Sequence, residues 1–262
     1  PHQFGYEIVL GFRQMAEPLG YLVDVIPVTH KFQKDIPYDV FMLQKDYMGA
    51  LVLGFSLDDP WMKDFETSHT PTVLYDNYIP TNPFISSIGI DNNEGMALAV
   101  AHLKGLGHKK IGYLGSSFGS HIMQVRHKAF FHAMKQNGLR ADPSCAGTSY
   151  YVTHCIEKHL PRLLDMGMTA LICSHDLIAS AAIVQCQQLG YRVPENISIV
   201  GFDDLPISAY TSPSLTTVRQ ERLELGKCGY YALDSILNKV YIGTIYLHAQ
   251  LIVRNSTGKS PD

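Results

Sequence analysis

Two adjacent carboxylates, Asp203 and Asp204, stand where a predicted buried strand ends. The strand is the β-branched apolar run of residues 197–200, and Gly201 and Phe202 follow it. In parallel α/β sheets, ligands bind outside the carboxyl ends of the strands. A carboxylate placed there can accept two hydrogen bonds from a polyhydroxylated or amine-bearing ligand. The alternative is that the two acids only cap the turn that follows, as Asp side chains often do.

The acids, an arginine, and several histidines and serines near predicted strand ends also raise the question of a hydrolase. We expect no nucleophile elbow of the G-x-S-x-G type, and the sequence contains no H-E-x-x-H helix and no P-loop. Residues 115–119 are rich in glycine and serine after a predicted strand, but they lack the lysine and the spacing of a phosphate-binding loop. A binding site explains these polar residues without a reaction, so we do not predict an enzyme.

The five cysteines are odd in number, scattered and free of any C-x-x-C pair. This usage favours reduced, buried thiols in a cytoplasmic protein. Cys155 and His159 lie four residues apart on a predicted helix, as two metal ligands could. A metal site needs at least one more convergent ligand, and the sequence identifies none. We therefore predict no metal and no cofactor.

The composition is that of an ordinary globular chain. It has 262 residues, of which 46% are hydrophobic and 17% charged, enough for one or two domains. No apolar run approaches the length of about 18 residues that a membrane span needs, so we predict no membrane contact. The net charge of −3 gives no electrostatic footprint for nucleic acid. If the parent protein binds DNA, we expect another part of it to do so.

Helical and strand patterns alternate along the chain, which predicts parallel sheets with right-handed crossovers. A first helix is expected to end at Gly20, and a capping box at residues 91–94 opens another. Pro161 lies inside a predicted helix, so a kink or break is expected there. The predicted strands are residues 21–28, 50–55, 72–75, 110–114, 169–173, 197–202 and a closing strand within 248–258.

The stretch VPENISIVGFDDLPISAYTSPSLTTVRQ, residues 193–220, resembles the effector-binding core of lactose-repressor/galactose-repressor-type bacterial transcription regulators. The segments HLKGLGHKKIGYLGS (102–116) and HAQLIVRNSTG (248–258) resemble the same family, as does Arg126 followed by Ala129-Phe130. The resemblance covers nearly the whole chain. It implies an α/β fold of two Rossmann-like subdomains with parallel sheets, of the periplasmic-binding-protein-like type I class.

That fold implies where the chain divides. The first subdomain would comprise residues 1–90 and 222–249, and the second residues 91–221 and 250–262. Three crossovers between them would form a hinge around a ligand cleft. The family also has a helix-turn-helix domain, a hinge segment and a central apolar strand before its first helix. This sequence starts after all three, so we expect either a trimmed N-terminus or that strand supplied in another way.

Candidate effector contacts are assigned at the positions that align with the family's motifs, including His175, where the residue type departs from the family. They are Phe4, Tyr75, Asp76, Arg126, His175, Asp203 and Gln220. The resemblance implies that Arg126 forks onto effector oxygens with its planar guanidinium, and that Phe4 stacks on a sugar ring. His175 replaces the family's usual asparagine, a departure from simple-hexose recognition; it could bond a hydroxyl or an acidic group of the effector. The alternative for His175 is a helix-entry residue that faces solvent.

The resemblance implies a ligand-sensing core that binds a small effector, a sugar or sugar derivative, and allosterically controls DNA binding. It also implies a cytoplasmic homodimer that meets operator DNA only through a domain outside this chain. The alternative is an exported sugar-binding protein of a transport system, which shares the fold. The reduced-looking cysteines and the Thr-Thr-Val-Arg-Gln ending of the signature favour the regulator.

Overall fold

The computed structural model describes residues 3–116 and 119–261. The chain forms two compact units. Unit 1 comprises Pro1–Ile90, Gly119–Ile122 and Glu221–Leu247, and unit 2 comprises Asp91–Phe118, Met123–Gln220 and His248–Asp262. Among the helices of the described ranges, none is long and apolar enough to cross a membrane.

The secondary structure alternates between helices and strands, as parallel sheets require. The described helices are α1 (Gln3–Ala16), α2 (His30–Asp35), α3 (Tyr38–Gln44), α4 (Pro60–Asp64), α5 (Asn92–Gly105), α6 (His121–Gln136), α7 (Val152–Asp165), α8 (Asp176–Gln188) and α9 (Arg222–Leu237). The described strands are β1 (Ala50–Val52), β2 (Thr72–Tyr75), β3 (Ile85–Ile90), β4 (Ile111–Ser116), β5 (Ala146–Ser149), β6 (Ala170–Cys173), β7 (Ser198–Asp203), β8 (Thr216–Arg219), β9 (Thr244–Leu247) and β10 (Gln250–Ile252).

Unit 1 is organised around a sheet whose described strands run in the order β1-β2-β3-β9, with every neighbouring pair parallel. Every residue of β2 and β3 is buried. The core cluster that includes Leu74 of β2 is aromatic. Tyr38 packs edge-on against Phe65 and Trp61, with ring centroids 4.8 and 5.2 Å apart. Such pairs add about 0.5–1.5 kcal/mol each beyond their buried area, so they stabilise the core against which β2 packs.

Helix α1 packs against α9 through glycines. A Cβ on Gly11 would collide with the carbonyl oxygen of Leu223, and one on Gly226 would collide with that of Ile8. Because neither position has room for a larger residue, the two helices approach backbone to backbone.

Unit 2 contains a second sheet, whose described strands run in the order β10-β8-β7-β6-β4-β5. Strand β10 is antiparallel to β8, and the other pairs are parallel. A buried core joins β4, β6 and β7 to α7 and α8, and includes Leu114, Leu163, Leu171, Ile178, Ile183 and Ile199. The carboxyl ends of β4, β6, β7 and β8 therefore lie along one edge of the sheet.

The predicted capping box opens α5. Asp91 Oδ1 accepts hydrogen bonds from the backbone N–H groups of Asn93 at 2.9 Å and Glu94 at 3.1 Å. The carboxylate of Glu94 accepts the backbone N–H of Ala249 at 2.9 Å. The acid cap is therefore confirmed, while the glutamate ties α5 to the residue before β10.

The strand expected at residues 21–28 is wrong. The segment lies outside every described strand, and Leu22 and Val25 are 98% and 63% exposed. An extended segment becomes a strand only when a neighbour accepts its backbone hydrogen bonds. No strand of the described sheets pairs with this segment. Leu22 and Val25 therefore stay exposed, and Val28 only packs against the edge of the unit 1 core.

Of the kink or break expected at Pro161, the break is wrong, because α7 runs without interruption from Val152 to Asp165. Proline removes one backbone donor from the helix interior. The same helix buries Ile156, Leu160 and Leu163 in the core of unit 2. Packing of an apolar face supplies most of a helix's stability and here outweighs the missing bond.

Candidate functional site

Four neighbouring parallel strands of unit 2 end on one edge of the sheet: β4, β6, β7 and β8. The residues at or just beyond these ends are polar: Ser116, Ser174, His175, Asp203 and Gln220. The sheet thus brings three predicted site residues, His175, Asp203 and Gln220, to the same edge. A fourth, Arg126, reaches Asp203 from α6.

Arg126 is the centre of a buried polar cluster. Its Nη1 donates to Asp203 Oδ1 at 3.0 Å and to the carbonyl oxygen of Ser174 at 2.7 Å. Its Nε donates to Asn92 Oδ1 at 2.9 Å, and its guanidinium carbon lies 3.8 Å from the ring centroid of Phe202. The side chain is only 2% exposed. These acceptors and the π face offset the cost of burying the cation.

The same guanidinium keeps one donor direction for a ligand. In the described part of the chain, Nη2 of Arg126 meets no acceptor. A guanidinium offers its N–H groups as a planar fork that suits paired oxygens. Nη2 is therefore the nitrogen of this guanidinium that has no acceptor among the described residues.

Asp203 completes the cluster from the end of β7. Its Oδ1 also accepts a hydrogen bond from Gln220 Nε2 at 2.7 Å. Its backbone φ is +109°, a value that residues other than glycine rarely adopt and that is concentrated at functional sites. The carboxylate is thus held between a cation and an amide in a conformation that costs backbone strain.

The second acid of the pair has a different role. The side chain of Asp204 is 7% exposed, with Oδ2 at 2.7 Å from Arg219 Nε and Oδ1 at 2.7 Å from Arg254 Nη2. Arg254 also donates to the carbonyl oxygen of Leu215 at 2.7 Å. Asp204 therefore ties the turn after β7 to β8 and to the segment after β10. Holding the turn explains Asp204, whereas Asp203 belongs to the polar cluster.

His175 is the N-cap of α8. Its Nδ1 accepts the backbone N–H of Ile178 at 3.4 Å, and its Nε2 lies 2.8 Å from Ser116 Oγ. Burial lowers the pKa of His175, against an opposing effect of the Asp203 charge, so the ring is neutral near pH 7. Since Nδ1 accepts, Nε2 carries the proton and donates to Ser116. His175 is a helix-entry residue, but its ring is hydrogen-bonded and does not simply face solvent.

This tautomer bears on catalysis. A serine nucleophile needs a histidine nitrogen that accepts its proton, whereas His175 donates to Ser116. The expectation that no G-x-S-x-G motif is present is wrong as to spacing, because residues 115–119 are Gly-Ser-Ser-Phe-Gly. The central Ser117 lies outside the described residues. In this tautomer His175 cannot accept the proton of Ser116, so the pair lacks the arrangement of a nucleophile and its base.

In unit 1, the predicted residues Tyr75 and Asp76 lie at the end of β2. Asp76 has a φ of +58°, so each unit holds an acid at positive φ where a strand ends. The Asp76 carboxylate lies over Gly89 of β3, where a Cβ would be 2.9 Å from Asp76 Oδ1. Tyr75 is buried. Phe4, also predicted as a contact, lies in the first turn of α1, and the structure describes its backbone but not its side chain.

Sequence reasoning missed three residues of the polar cluster: Asn92, Ser116 and Ser174. The two serines stand at strand ends, and that position is the signal that could have found them. Asn92 lies inside the capping box and gives no separate signal. Tyr150 and Tyr151 follow β5 at the same edge as an exposed pair, with ring centroids 4.9 Å apart.

Cys155 and His159, considered as metal ligands, are engaged elsewhere. Cys155 Sγ lies 3.4 Å from the carbonyl oxygen of Gly115, and burial raises the pKa of this thiol to about 11. His159 Nε2 lies 3.1 Å from the carbonyl oxygen of Thr148. Among the residues that the structure describes, no three His, Cys, Asp or Glu side chains are grouped as metal ligands.

Comparison with known proteins gives a consistent picture. A family model described as a periplasmic binding protein-like domain matches residues 100–257. The HTH-type transcriptional repressor PurR of Aliivibrio salmonicida is 30% identical over 261 residues, which cover 98% of this chain and 78% of that protein. The transcription regulator CcpA of Lactococcus lactis superposes with a TM-score of 0.84 at 24% identity, covering 97% of this chain and 94% of that one. A complex of the transcriptional regulator CelR with cellobiose also has a TM-score of 0.84, at 22% identity and 97% and 79% coverage.

Proposed function

We propose an effector site for this chain, which belongs to the periplasmic-binding-protein-like domain family as the effector-binding core of a lactose-repressor-type transcription regulator. The side chains that would contact the effector are Arg126, His175, Asp203 and Gln220. The observation that carries this proposal is the buried cluster of Arg126, Asp203 and Gln220 at the carboxyl edge of the unit 2 sheet. A cation, a carboxylate and an amide fixed by one another form a pre-positioned set of donors and acceptors. Such a set recognises the hydroxyl groups of a small polar ligand.

We propose a sugar or sugar derivative as the effector. Vicinal hydroxyls match the remaining donor of Arg126 and the carboxylate of Asp203. The exposed ring pair of Tyr150 and Tyr151 offers a surface on which a sugar ring could stack. The likeness to a regulator solved with cellobiose supports this class of ligand.

We propose that residues of the first subdomain also contact the effector. Asp76, Tyr75 and Phe4 would supply the contacts of the first subdomain, residues 1–90 and 222–249. The second subdomain, residues 91–221 and 250–262, would supply the cluster around Arg126. Effector binding would favour one arrangement of the two subdomains, and this population shift would pass to a DNA-binding domain.

We further propose that the protein works as a cytoplasmic homodimer, the symmetric arrangement commonest among soluble oligomers. Operator DNA would be bound by a helix-turn-helix domain, since residues 1–262 carry a net charge of −3. Sedimentation at micromolar concentration should give a species of twice the chain mass. A monomer of 29.2 kDa at every concentration would contradict the dimer.

Calorimetric titration with cellobiose, after a thermal-shift screen of sugars, nucleobases and phosphorylated metabolites, tests the proposed site. Asp203→Asn keeps the shape of the side chain and removes its charge, so affinity should fall by about 10- to 100-fold. The matched control is Asp165→Asn, an exposed acid at the end of α7, which should bind as the wild type does. Normal binding by Asp203→Asn would refute the site. Binding of nucleobases with no response to any sugar would refute the sugar class alone.

A further inference from the structure

Asp176, the first residue of α8, is a fully buried acid that the proposed contacts do not include. Its Oδ2 accepts the backbone N–H of Leu205 at 2.7 Å and the Ser208 hydroxyl at 2.6 Å. Its Oδ1 accepts the Thr217 hydroxyl at 2.5 Å. All three partners are donors, which is the arrangement that suits a carboxylate. With no exposed surface, Asp176 cannot itself be a ligand contact.

The partners of Asp176 surround a strained turn. Asp203 and Asp204 both have positive φ, +109° and +51°, and Leu205 is the next residue along the chain. Ser208 lies in the short 3-10 turn Pro206–Ala209, and Thr217 lies in β8. Strained backbone persists only where surrounding contacts hold it. Asp176 supplies such contacts on the carboxyl-terminal side of the strain, and Asp204 supplies others through Arg219 and Arg254.

We propose that Asp176 is a positioning residue for effector recognition, whose carboxylate holds residues 203–208 in the conformation that presents Asp203 to the effector. The role in recognition rests on the proposed function, while the hold on the turn stands on the contacts of Asp176 alone.

Two further features support this role. A Cβ at Gly201 of β7 would collide with Asp176 Oδ1. The carboxylate therefore fits against β7 only because residue 201 has no side chain. The ionisable groups that face Asp176 are Asp203 from β7 and the Cys173 thiol from β6, with His175 adjacent in sequence. Burial, and secondly the charge of Asp203, raise the pKa of Asp176 to about 7. The hydrogen bonds that Asp176 accepts from residues 205 and 208 should therefore change in strength with pH near neutrality.

The first test needs no effector. In Ser208→Ala and Thr217→Val, the Leu205 amide should exchange its hydrogen about tenfold faster than in the wild type, because a charge-assisted hydrogen bond to the anchoring carboxylate is lost. The Asp203 carboxyl carbon should shift its NMR resonance in the same variants. The matched control is Ser198→Ala, another fully buried hydroxyl, which bonds Gly258 and His108 at the amino end of β7. It should lower stability and leave both signals unchanged.

A pH titration separates positioning from a merely structural role. The Leu205 amide resonance should titrate between about pH 5.5 and 8.5 in the wild type, since the carboxylate that accepts it gains a proton near pH 7. Asp176→Asn keeps a carbonyl oxygen for that N–H and should show no titration. Unchanged Leu205 exchange in both hydroxyl variants, or equal titration in Asp176→Asn, would overturn the proposal.

Cellobiose binding then tests the link to recognition. Ser208→Ala should bind cellobiose several-fold more weakly than the wild type, and Ser198→Ala should bind it normally. Equal binding by the wild type and Ser208→Ala, with faster Leu205 exchange in the variant, would show that the hold on the turn does not serve recognition. Failure of the wild type to bind cellobiose would count against the proposed sugar and leave the exchange result to decide whether Asp176 positions Asp203.

Discussion

Arg126 and Asp203 form an ion pair in which Nη1 and Oδ1 lie 3.0 Å apart, with side chains only 2% and 13% exposed. Charges at such burial are expensive to desolvate, and their pairing returns that cost only when both partners are present. The pair therefore belongs to the fold of unit 2 as well as to the proposed site. Because of this double role, substitutions of the pair should be compared by their effect on stability as well as by their effect on effector binding.

Arg126→Ala should destabilise the protein by about 3–5 kcal/mol, because it leaves the Asp203 carboxylate buried without its cation. Arg126→Lys keeps the charge but loses the fork that reaches both Asn92 and Ser174. It should therefore fall between the wild type and Arg126→Ala in the free energy of unfolding, measured by urea titration. Lys128→Ala, an exposed position on the same helix, is the control and should change stability little. Equal stability of Arg126→Ala and the wild type would contradict this account of the pair.

His175→Asn should make the protein less sensitive to acid. Burial lowers the pKa of His175 below its usual value of 6.5. The imidazole therefore binds a proton at a higher pH in the unfolded chain than in the folded protein. Stability is then present above about pH 6.5 and is lost as the pH falls. Protonation of Nδ1 would also break the cap on Ile178. The other histidines are common to both proteins and cancel in the difference.

Unfolding titrations at pH 5.5 and 7.5 provide the measurement for His175. The wild type should lose more stability between these two values than His175→Asn does. An equal loss of stability in the wild type and in His175→Asn would mean that burial does not keep the His175 ring neutral. The same comparison repeated with effector present reports whether an acidic ligand raises affinity at low pH, as a protonated histidine at the site would allow.

Strands that contain a continuous apolar run were readable from the sequence, whereas β3 and β5, which lack one, were not. β2 and β6 lie where continuous apolar runs predict them, because strands buried on both faces need such runs. β3 (ISSIGI) and β5 (AGTS) contain serine, threonine and glycine, and the pattern did not reveal them. They are strands because neighbours on the sheet accept their backbone hydrogen bonds.

The candidate site was readable only where a residue's place along the chain fixed its place in the fold. Asp203 stands at a strand end, and both its position and the family signature mark it. Asp176 looks like any acid in the first turn of a helix. Only the fold brings Ser208 and Thr217, 32 and 41 residues further along, to its carboxylate. Contacts of that range are not encoded in local periodicity.

Asp176 should make the protein less stable as the pH rises from about 4 to 7. Burial first, and the charge of Asp203 second, raise the pKa of Asp176 from 3.8 to about 7. In that window the folded state holds a proton that the unfolded chain has released, so the free energy of unfolding falls with rising pH. The Asp176→Asn variant has no carboxyl group at this position to titrate, so it should lose less stability than the wild type over the same pH range. The titration of His175 changes the free energy of unfolding with pH in the opposite direction. The comparison is therefore cleanest between His175→Asn and the double variant carrying both changes. Equal slopes would contradict a raised pKa.

Gly201→Ala should destabilise the protein by about 1–3 kcal/mol, the usual cost of overpacking a core. The new methyl group would collide with the Asp176 carboxylate and lie 2.8 Å from Leu215 Cδ2. Gly105→Ala is the control, since a Cβ there meets no atom within 4 Å. It should be neutral or stabilising by about 0.4–1 kcal/mol, because alanine restricts the unfolded chain. Thermal unfolding of both variants checks the difference, and a Gly201→Ala protein as stable as Gly105→Ala would rule out the tight contact.

Gly89→Ala is the corresponding change in unit 1 and should affect binding more than stability. Its Cβ would lie 2.9 Å from Asp76 Oδ1, while the next contacts, with the Tyr246 ring, begin at 3.8 Å. The carboxylate is the end of a short flexible side chain and can move away, so the fold should survive with a small loss. That movement displaces Asp76 from the position it holds at the end of β2. If Asp76 contacts the effector, cellobiose should bind Gly89→Ala more weakly, with Gly105→Ala as the control. Equal affinity of the two variants would remove Asp76 from the proposed site.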